Sequence, residues 1–279
     1  MPVRADAGPG ASDEEGSALS MNIVVCVKQV PDTWAERKLR PGEGTLDRET
    51  PDGLINELDE YAIEEGLRIA EAHDGEVTIL SMGPEKATES IRKALSMGAD
   101  KAVHLIDDGL AGSDVLATSY AIAQVLTETG FDLVITGSEA TDARTGVLAA
   151  MLAERLGVPQ LTLASKVDID GTQINVRRVS DDGYDEVSAA LPAVVSVMEK
   201  INEPRYPSFK GIMAAKKKPV RKLTLADAGI DPEQVGLANS ATEVVDFASR
   251  PPRQAGVIVK DEGDGGTKVA AFLAERKFV

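Results

Sequence analysis

Cysteine and histidine are almost absent from this chain of 279 residues. It contains one cysteine, Cys26, and two histidines, His73 and His104. A single cysteine excludes an internal disulfide and a cysteine-based metal cluster, and two histidines far apart in sequence suggest neither a catalytic dyad nor a zinc site. Because Cys26 lies within the apolar run Ile23–Val27, we interpret it as a packed core thiol.

Positive charge and long apolar runs are also scarce. The chain has 30 Lys and Arg against 46 Asp and Glu, which gives a formal net charge of −16. So acidic a chain repels the phosphates of nucleic acid and of an anionic membrane surface. No apolar run approaches the roughly 20 residues that a membrane helix needs. Aromatic residues are few, at 4%, but the hydrophobic content of 43% is that of a soluble globular protein.

The first 20 residues also lack the apolar core of a signal peptide. They are small, polar and acidic. We expect residues 1–20 to be a disordered extension that precedes a natural start at Met21. Without a targeting segment, the expected location is the cytoplasm.

From Met21 onward, predicted strands and helices alternate. Continuous runs rich in β-branched residues predict buried parallel strands, and capped segments of helical periodicity predict helices between them. The predicted strands are 22–30, 76–82, 101–106 and 133–137. The predicted helices begin near 56, 84, 113 and 145. This alternation predicts a doubly wound, parallel α/β sheet.

The rhythm changes after Pro159. Short strand candidates follow at 161–167, 173–179, 185–191 and 193–197, with Asp-Gly turn signals between them. We expect these strands to form an antiparallel addition to the sheet. Further predictions are a short helix at 223–229, an extended linker at 249–253 and a terminal helix at 268–277.

Ligands of an open parallel sheet bind at the carboxyl ends of its strands. The most informative of these loops is Gly137–Gly146, which follows a strand and precedes a helix. Small residues let a ligand approach the backbone, and a helix N-terminus favours a phosphate. A nucleotide-binding loop and an ordinary strand–helix turn both fit this spacing. The chain has no G-x-G-x-x-G, no Walker lysine motif and no visible nucleophile–base pair, so the sequence offers no constellation for bond-making chemistry.

The stretch Glu203–Val220 is the only strongly basic segment of the chain. Two prolines and a glycine shape its backbone, and apolar side chains lie among its lysines. Apolar groups ringed by charge fit a docking loop that leads into a short helix. The alternative interpretation is a solvated charged face.

Several segments together resemble the β subunit of electron transfer flavoproteins. They are Val27–Thr33, Asn56–Glu65, Ala94–Asp100, the loop from Gly137, Leu191–Val195 and, most specifically, Asn202–Pro207 running into Lys216–Lys218. The segment Arg178–Asp185 is similar to the family's signature, with Asp185 where Glu is usual. The resemblance covers Met21 to about Gly256.

The resemblance implies a Rossmann-like sandwich without the usual glycine fingerprint, and a heterodimer with a flavin-bearing α subunit. It implies an electron carrier, without a bond-making site of its own, that takes electrons from flavin dehydrogenases such as those of fatty acid oxidation and passes them to a downstream acceptor. The β subunit of this family holds AMP as a structural ligand and helps to enclose the FAD that α mainly carries. The implied organisation is a nucleotide-binding domain at 21–200, a partner-recognition segment at 201–222 and an arm at 223–279 that contacts α.

Site residues follow from the resemblance position by position. The implied AMP contacts are Cys26, Asn56, Glu57, Leu58, Asp59, Met82, Gly137, Ser138, Glu139, Ala140, Thr141, Asp142, Ala143, Arg144, Thr145, Gly146, Val147 and Leu148. The implied docking residues are Tyr206, Phe209, Lys210, Ile212, Met213, Lys216, Lys217 and Lys218.

The chain departs from the family pattern at two places. It has Val147 and Leu148 where many members have Gln-Thr, and Phe209 where leucine is usual. A second class of these β subunits holds another FAD in the AMP position, and the missing glutamine favours that alternative. A stand-alone nucleotide-binding regulator of related fold, active as a homodimer, is the other alternative.

Overall fold

The computed structural model describes residues 20–248, 251–252, 256 and 258–279. The chain forms two units, the first ending at Val244 and the second comprising Val245–Val279. Except for Ser20, the predicted extension 1–20 lies outside the described residues, as does most of the predicted linker 249–253.

The strands and helices of the described residues are numbered in chain order. The strands are β1 Asn22–Cys26, β2 Gln29–Pro31, β3 Gly53–Ile55, β4 Glu76–Met82, β5 Lys101–Leu105, β6 Leu133–Gly137, β7 Gln160–Asp170, β8 Gln173–Ser180, β9 Gly183–Ala190, β10 Ala193–Val197 and β11 Val220–Leu223. The helices are α1 Glu57–Ala72, α2 Thr88–Met97, α3 Val115–Thr129, α4 Leu148–Leu156, α5 Phe209–Ala215 and α6 Gly265–Glu275.

One large sheet carries the first unit. Its strand order is β11-β5-β4-β1-β6-β10-β7-β8-β9, and all neighbours from β11 to β7 pair in parallel. Helices α1 and α2 cover one face, where Ile63 and Leu95 are fully buried, and α3 and α4 cover the other with Leu126 and Leu152. The predicted Rossmann-like, doubly wound sheet is confirmed.

The predicted strand 22–30 is wrong in its second half. β1 ends at Cys26, and the chain turns away so that β2 pairs antiparallel with β3 in a separate two-stranded sheet. The backbone amide of Lys28 donates to Asp59 Oδ2 at 2.8 Å, and Asn56 N donates to the Lys28 carbonyl at 2.9 Å. These contacts with the start of α1 take Lys28 out of the main sheet.

The antiparallel addition consists of β7, β8 and β9. Assigning β10 to it was wrong, because β10 lies between β6 and β7 and pairs with both in parallel. All five β10 residues are buried. The strand is therefore buried on both faces, as expected of a central parallel strand.

Two helix predictions also differ from the structure. The helix expected to begin at 145 begins at Leu148, because Arg144 and Gly146 have φ values of 51° and 64°, which a helix cannot accommodate. The segment predicted as a helix at 223–229 is the end of β11 followed by a turn. Leu225, Ile230 and Val235 are buried in the core beside α3 and α4, so the first unit continues past residue 223, where the arm was expected to begin.

The second unit contains α6, close to the predicted terminal helix at 268–277. Its side chains Val269 and Phe272 are 53% and 40% exposed. No helix among the described residues is both long and apolar enough to cross a membrane.

Candidate functional site

The predicted ligand residues gather where the strand order reverses. β1 lies between β4 and β6, so the chain leaves the carboxyl ends of β1 and β6 in opposite directions. A crevice at such a point is where ligands of doubly wound sheets bind. The loop from Ser138 to Val147, called here the β6–α4 loop, lies at this edge beside the start of α1.

Asn56 ties the β6–α4 loop to α1. It is fully buried, and its amide nitrogen donates to Asp59 Oδ1 at 2.8 Å and to the Glu139 carbonyl at 3.0 Å. Its amide oxygen accepts from the backbone N–H of Thr141 at 3.0 Å. Asn56 occupies the N-cap position of α1 but makes no side-chain cap. Its hydrogen-bonding capacity is used to fix the loop instead.

Asp59 is a buried carboxyl group at the centre of these contacts. Burial raises its pKa to about 7, although the Lys28 amide and the Asn56 side chain favour the carboxylate. Burial also raises the pKa of the neighbouring Cys26 thiol to about 12, with a further contribution from Asp59. Cys26 is therefore a protonated core thiol, as its sequence context indicated.

Gly137 has a steric role beside α1. A Cβ atom built at this position would lie 2.7 Å from Asp59 Oδ1 and 2.9 Å from the carbonyl carbon of Leu58. Any side chain at residue 137 would push the end of β6 away from the start of α1. Packing within this chain, without any ligand, therefore explains why residue 137 is a glycine.

Asp142 forms ion pairs with two basic side chains, Lys28 and Arg48, which the sequence did not indicate as site residues. Lys28 Nζ lies 2.9 Å from Asp142 Oδ2, and the Arg48 guanidinium contacts the same oxygen. The Asp142 side chain is 1% exposed. Burial opposes its ionisation, but the two cations outweigh burial and lower its pKa. The cluster of these three side chains carries one net positive charge beside the β6–α4 loop.

The distal part of the β6–α4 loop is open to solvent. Residues 143–147 are exposed, and Arg144 lies 3.7 Å from Glu139 in a weak ion pair. Val147 occupies the N-cap position of α4 and offers no side-chain cap, and no side chain in the described part of the chain accepts from the first amides of this helix. Thr141 Oγ1 is buried and unpaired within the described residues. Free amides, a positive cluster and an unpaired hydroxyl fit a phosphate-bearing ligand.

The remaining predicted ligand residues are less tightly joined. Leu58 and Leu148 are half-buried and Glu57 is exposed. Met82 ends β4 and packs against the core beside α3 and α4. Within the described residues, Ser138 and Thr145 make no side-chain hydrogen bond. The Ala140 carbonyl accepts from the Arg144 backbone N–H at 2.8 Å, and Ala143 is exposed. Lys28 and Arg48 were not predicted as site residues, because both are far from Asp142 in sequence.

A second surface surrounds α5. The predicted short helix is present, and Ser208 caps it by accepting from the Gly211 amide at 3.0 Å. Tyr206 and Phe209 are 95% and 81% exposed, and Ile212 and Met213 are about half exposed. We call Arg205–Lys218 the docking segment. Lys210, Lys216 and Lys217 take part in none of the ion pairs found among the described residues.

Lys218 has a structural role in addition to its predicted docking role. Its ammonium donates to the carbonyls of Leu95, Gly98 and Ala99 at 3.1, 2.9 and 2.6 Å, at the C-terminal end of α2. Arg92 on α2 donates in return to the carbonyls of Ala215 and Lys218. The charge of Lys218 thus stabilises the end of a helix. Its contribution to docking stays a prediction.

Comparison with known proteins identifies what the chain is similar to. Residues 43–228 match the electron transfer flavoprotein domain family. A protein from Mycobacterium bovis named electron transfer flavoprotein subunit beta is 54% identical over 264 residues, which cover 92% of this chain and 99% of the relative. A protein of the same name from Clostridium acetobutylicum is 38% identical over 260 residues, 93% of this chain and 100% of the relative. The caffeyl-CoA reductase-Etf complex subunit CarD from Acetobacterium woodii is 36% identical over 258 residues, 92% of this chain and 97% of the relative.

Proposed function

The chain belongs to the electron transfer flavoprotein family as a β subunit, and we propose that it works in a heterodimer with a flavin-bearing α subunit. The heterodimer takes electrons from flavin dehydrogenases, acyl-CoA dehydrogenases among them, and passes them to a downstream acceptor in the cytoplasm. The bound FAD, held mainly by α, supplies the electron chemistry. This chain contributes AMP binding, shielding of the flavin and docking, and no bond-making site of its own.

One observation carries the nucleotide assignment: the N-terminus of α4 has no side-chain cap and follows a loop that Asn56 holds in place. A phosphate at this position would accept from the first amides of α4 and favour the positive end of its dipole. The net positive cluster of Lys28, Arg48 and Asp142 adds attraction for an anion. These groups offset the absence of a glutamine and a second threonine in this loop.

The docking assignment is supported by the exposure of the docking segment. Tyr206 and Phe209 present apolar surface on a shaped loop and a capped helix. Three lysines without ion partners among the described residues surround them. Aromatic anchors within a ring of charge suit a transient contact with an acidic protein surface that has an apolar pocket.

The pairing with α is supported by the second unit. Val269 and Phe272 of α6 are 53% and 40% exposed in this chain alone, and Phe278 beyond the helix is 71% exposed. Exposed apolar surface on a terminal helix suits a subunit interface. We therefore assign the arm, from Val245 onward, to contact with α.

A second candidate is a β subunit that holds another FAD where AMP is expected. Two observations favour it: Val147 and Leu148 replace the Gln-Thr pair of many members, and one relative is a subunit of a caffeyl-CoA reductase complex. The dinucleotide would occupy the same strand-end site. AMP remains the first choice because the more similar relatives are named simply as β subunits.

The experiment that tests the proposal is identification of the bound ligands. The chain is co-expressed with its cognate α subunit, the complex is purified, and ligands released by heat are measured by mass spectrometry. A yellow heterodimer with one FAD and one AMP supports the proposal. Two FAD without AMP favour the second candidate. A colourless homodimer that ignores α would overturn both and favour a stand-alone nucleotide-binding regulator.

A further inference from the structure

Arg205 lies at the start of the docking segment and is bound to two carboxylates of α1. Its Nε and Nη2 atoms donate to the two oxygens of Glu64 at 2.7 and 3.0 Å. Its Nη1 and Nη2 atoms reach the two oxygens of Glu71 at 2.5 and 3.3 Å, and its backbone N–H donates to Glu64 at 3.1 Å. All three guanidinium nitrogens therefore donate to carboxylates of the same helix.

This arrangement uses a property that only arginine has. A planar fork with five N–H donors can engage two carboxylates at once, whereas an ammonium acts as a point charge. The Glu64 side chain is 8% exposed, so the pair with Arg205 is shielded from solvent on one side. Glu71 is 61% exposed and closes the contact from outside.

The position of Arg205 connects this clamp to the exposed tip. Tyr206 follows it directly, and Ser208 then caps α5, which begins with Phe209. Few rotatable bonds therefore separate the clamped guanidinium from the two most exposed aromatic side chains of the docking segment. Upstream, Asn202 donates to the Tyr61 carbonyl and to Glu65 on the same helix, so the approach to the segment is fixed as well.

The far end of the docking segment is held by a different helix. Arg92 and Lys218 exchange hydrogen bonds between α2 and the end of α5, as described above. A Cβ atom at Gly211 would lie 2.5 Å from the Ser96 carbonyl, so α5 lies directly against α2. The segment is fixed at both ends while its tip projects into solvent.

We propose that Arg205 is a positioning residue for docking: with Glu64 and Glu71 it holds the segment so that Phe209 is presented to the dehydrogenase in its binding orientation. The inference rests on the proposed docking function. A loop already ordered in the free protein loses less conformational entropy on binding. Removing the contacts of Arg205 with Glu64 and Glu71 should thus weaken binding to the dehydrogenase. It should not alter the flavin or the rate of electron transfer once the complex has formed.

The test is a double-variant cycle in the intact heterodimer. Arg205→Met, Phe209→Ala and the double variant are compared with the parent in dehydrogenase-coupled reduction, with KM for the dehydrogenase and kcat measured separately. We expect Arg205→Met to raise KM roughly tenfold, the equivalent of ordering about one loop side chain, with kcat near the parent value. In the Phe209→Ala background, Arg205→Met should raise KM by less than about twofold, because the aromatic side chain that Arg205 positions has been removed.

Two further variants separate positioning from general stability. Arg155→Met is the matched control, because Arg155 uses its fork on Ser119 and Leu116 within α3 and does not touch the docking segment. It should leave KM unchanged even if it lowers the melting temperature. Arg205→Lys keeps the charge but not the fork, and should rescue KM only in part. If Arg205→Met fails to assemble, Glu71→Gln, which leaves the Glu64 pair intact, takes its place in the cycle.

The outcomes are distinguishable. Additive effects of Arg205→Met and Phe209→Ala, or a parental KM for Arg205→Met, overturn the positioning role while docking through Phe209 stands. Parental kinetics for Phe209→Ala itself overturn the docking function, and the positioning role with it. Full rescue by Arg205→Lys would also count against the clamp, since charge alone would then suffice.

Discussion

Phe209→Ala is the most direct perturbation of the proposed docking surface. Phe209 begins α5, is 81% exposed and contributes little to the core of the first unit. Its removal should therefore leave folding, AMP and flavin content unchanged. What it removes is the apolar anchor that a dehydrogenase would cover.

The magnitude follows from the exposed surface. Complete burial of a phenylalanine side chain contributes about 1.5–3 kcal/mol. Since about four fifths of the Phe209 surface is still available to a partner, its burial in a pocket would contribute about 1.2–2.4 kcal/mol. Each ~1.4 kcal/mol is a factor of ten, so the efficiency of electron transfer from the dehydrogenase should fall roughly tenfold to fiftyfold. Ile212→Ala, with 46% exposure, should have a smaller effect.

The assay is reduction of the heterodimer by a flavin dehydrogenase and its substrate, with chemical reduction by dithionite as the internal reference. Phe209→Ala should slow the first and leave the second unchanged. Trp34→Ala serves as the control, because Trp34 is a 94% exposed aromatic residue outside the docking segment. Dehydrogenase-coupled turnover of Phe209→Ala at the parent rate would refute the reasoning and leave a solvated charged face as the better description.

Four other outcomes are expected. Neutralising Lys210, Lys216 and Lys217 together should flatten the dependence of the coupled rate on ionic strength, with a smaller change at high salt, because exposed charges act mainly on encounter; an unchanged salt slope contradicts this. Gly146→Val should reduce the AMP found by mass spectrometry and weaken the heterodimer, because a side chain at a φ of 64° strains the loop. Gly157→Val, at a φ of 67° after the opposite end of α4, is its matched control and should retain AMP. Because burial raises the Asp59 pKa to about 7 in the folded chain, its contribution to stability is complete below about pH 4 and is lost as the pH rises through about 7. In urea unfolding, the free energy of unfolding of Asp59→Asn relative to the parent should rise between pH 5 and 7 and stay constant above pH 7. A difference that does not change with pH contradicts the assignment. Deleting 245–279 should weaken pairing with α while the circular dichroism of the first unit persists, and unchanged affinity would make the arm a surface helix only.

Much of the fold could be predicted because local signals agreed with it. β4 was predicted at its observed bounds, and the starts predicted for α1 and α3, near residues 56 and 113, lie close to the observed first residues Glu57 and Val115. The place of β10 was missed although its pattern carried a signal. Four of its five residues are apolar and all five are buried, whereas β9 is exposed along most of its length. That contrast separates a central strand from the outer antiparallel strands.

The site was predictable as a place and less so as a set of contacts. Strand ends and a small-residue loop indicated the β6–α4 loop, but the side chains that hold it come from distant segments. Arg48 lies in a long polar loop, and nothing near it in sequence indicates that it will meet Asp142. Asn56 was predicted as a ligand contact, which stays a prediction, but the hydrogen bonds of its amide with Asp59, Glu139 and Thr141 were not foreseen. Such long-range pairings depend on the fold as a whole and leave no local pattern.

Helix α1 connects both surfaces of the first unit. Its first turn, through Asn56 and Asp59, fixes the β6–α4 loop, and its later turns, through Glu64 and Glu71, fix Arg205 at the start of the docking segment. A rigid helix with 16 residues spans both contacts. A substitution that shifts α1 as a body, such as any side chain at Gly66, whose Cβ would lie 2.9 Å from Val25, should therefore weaken AMP retention and docking together. A change at either end alone should affect one surface and spare the other, because each contact is local to its own turn of the helix.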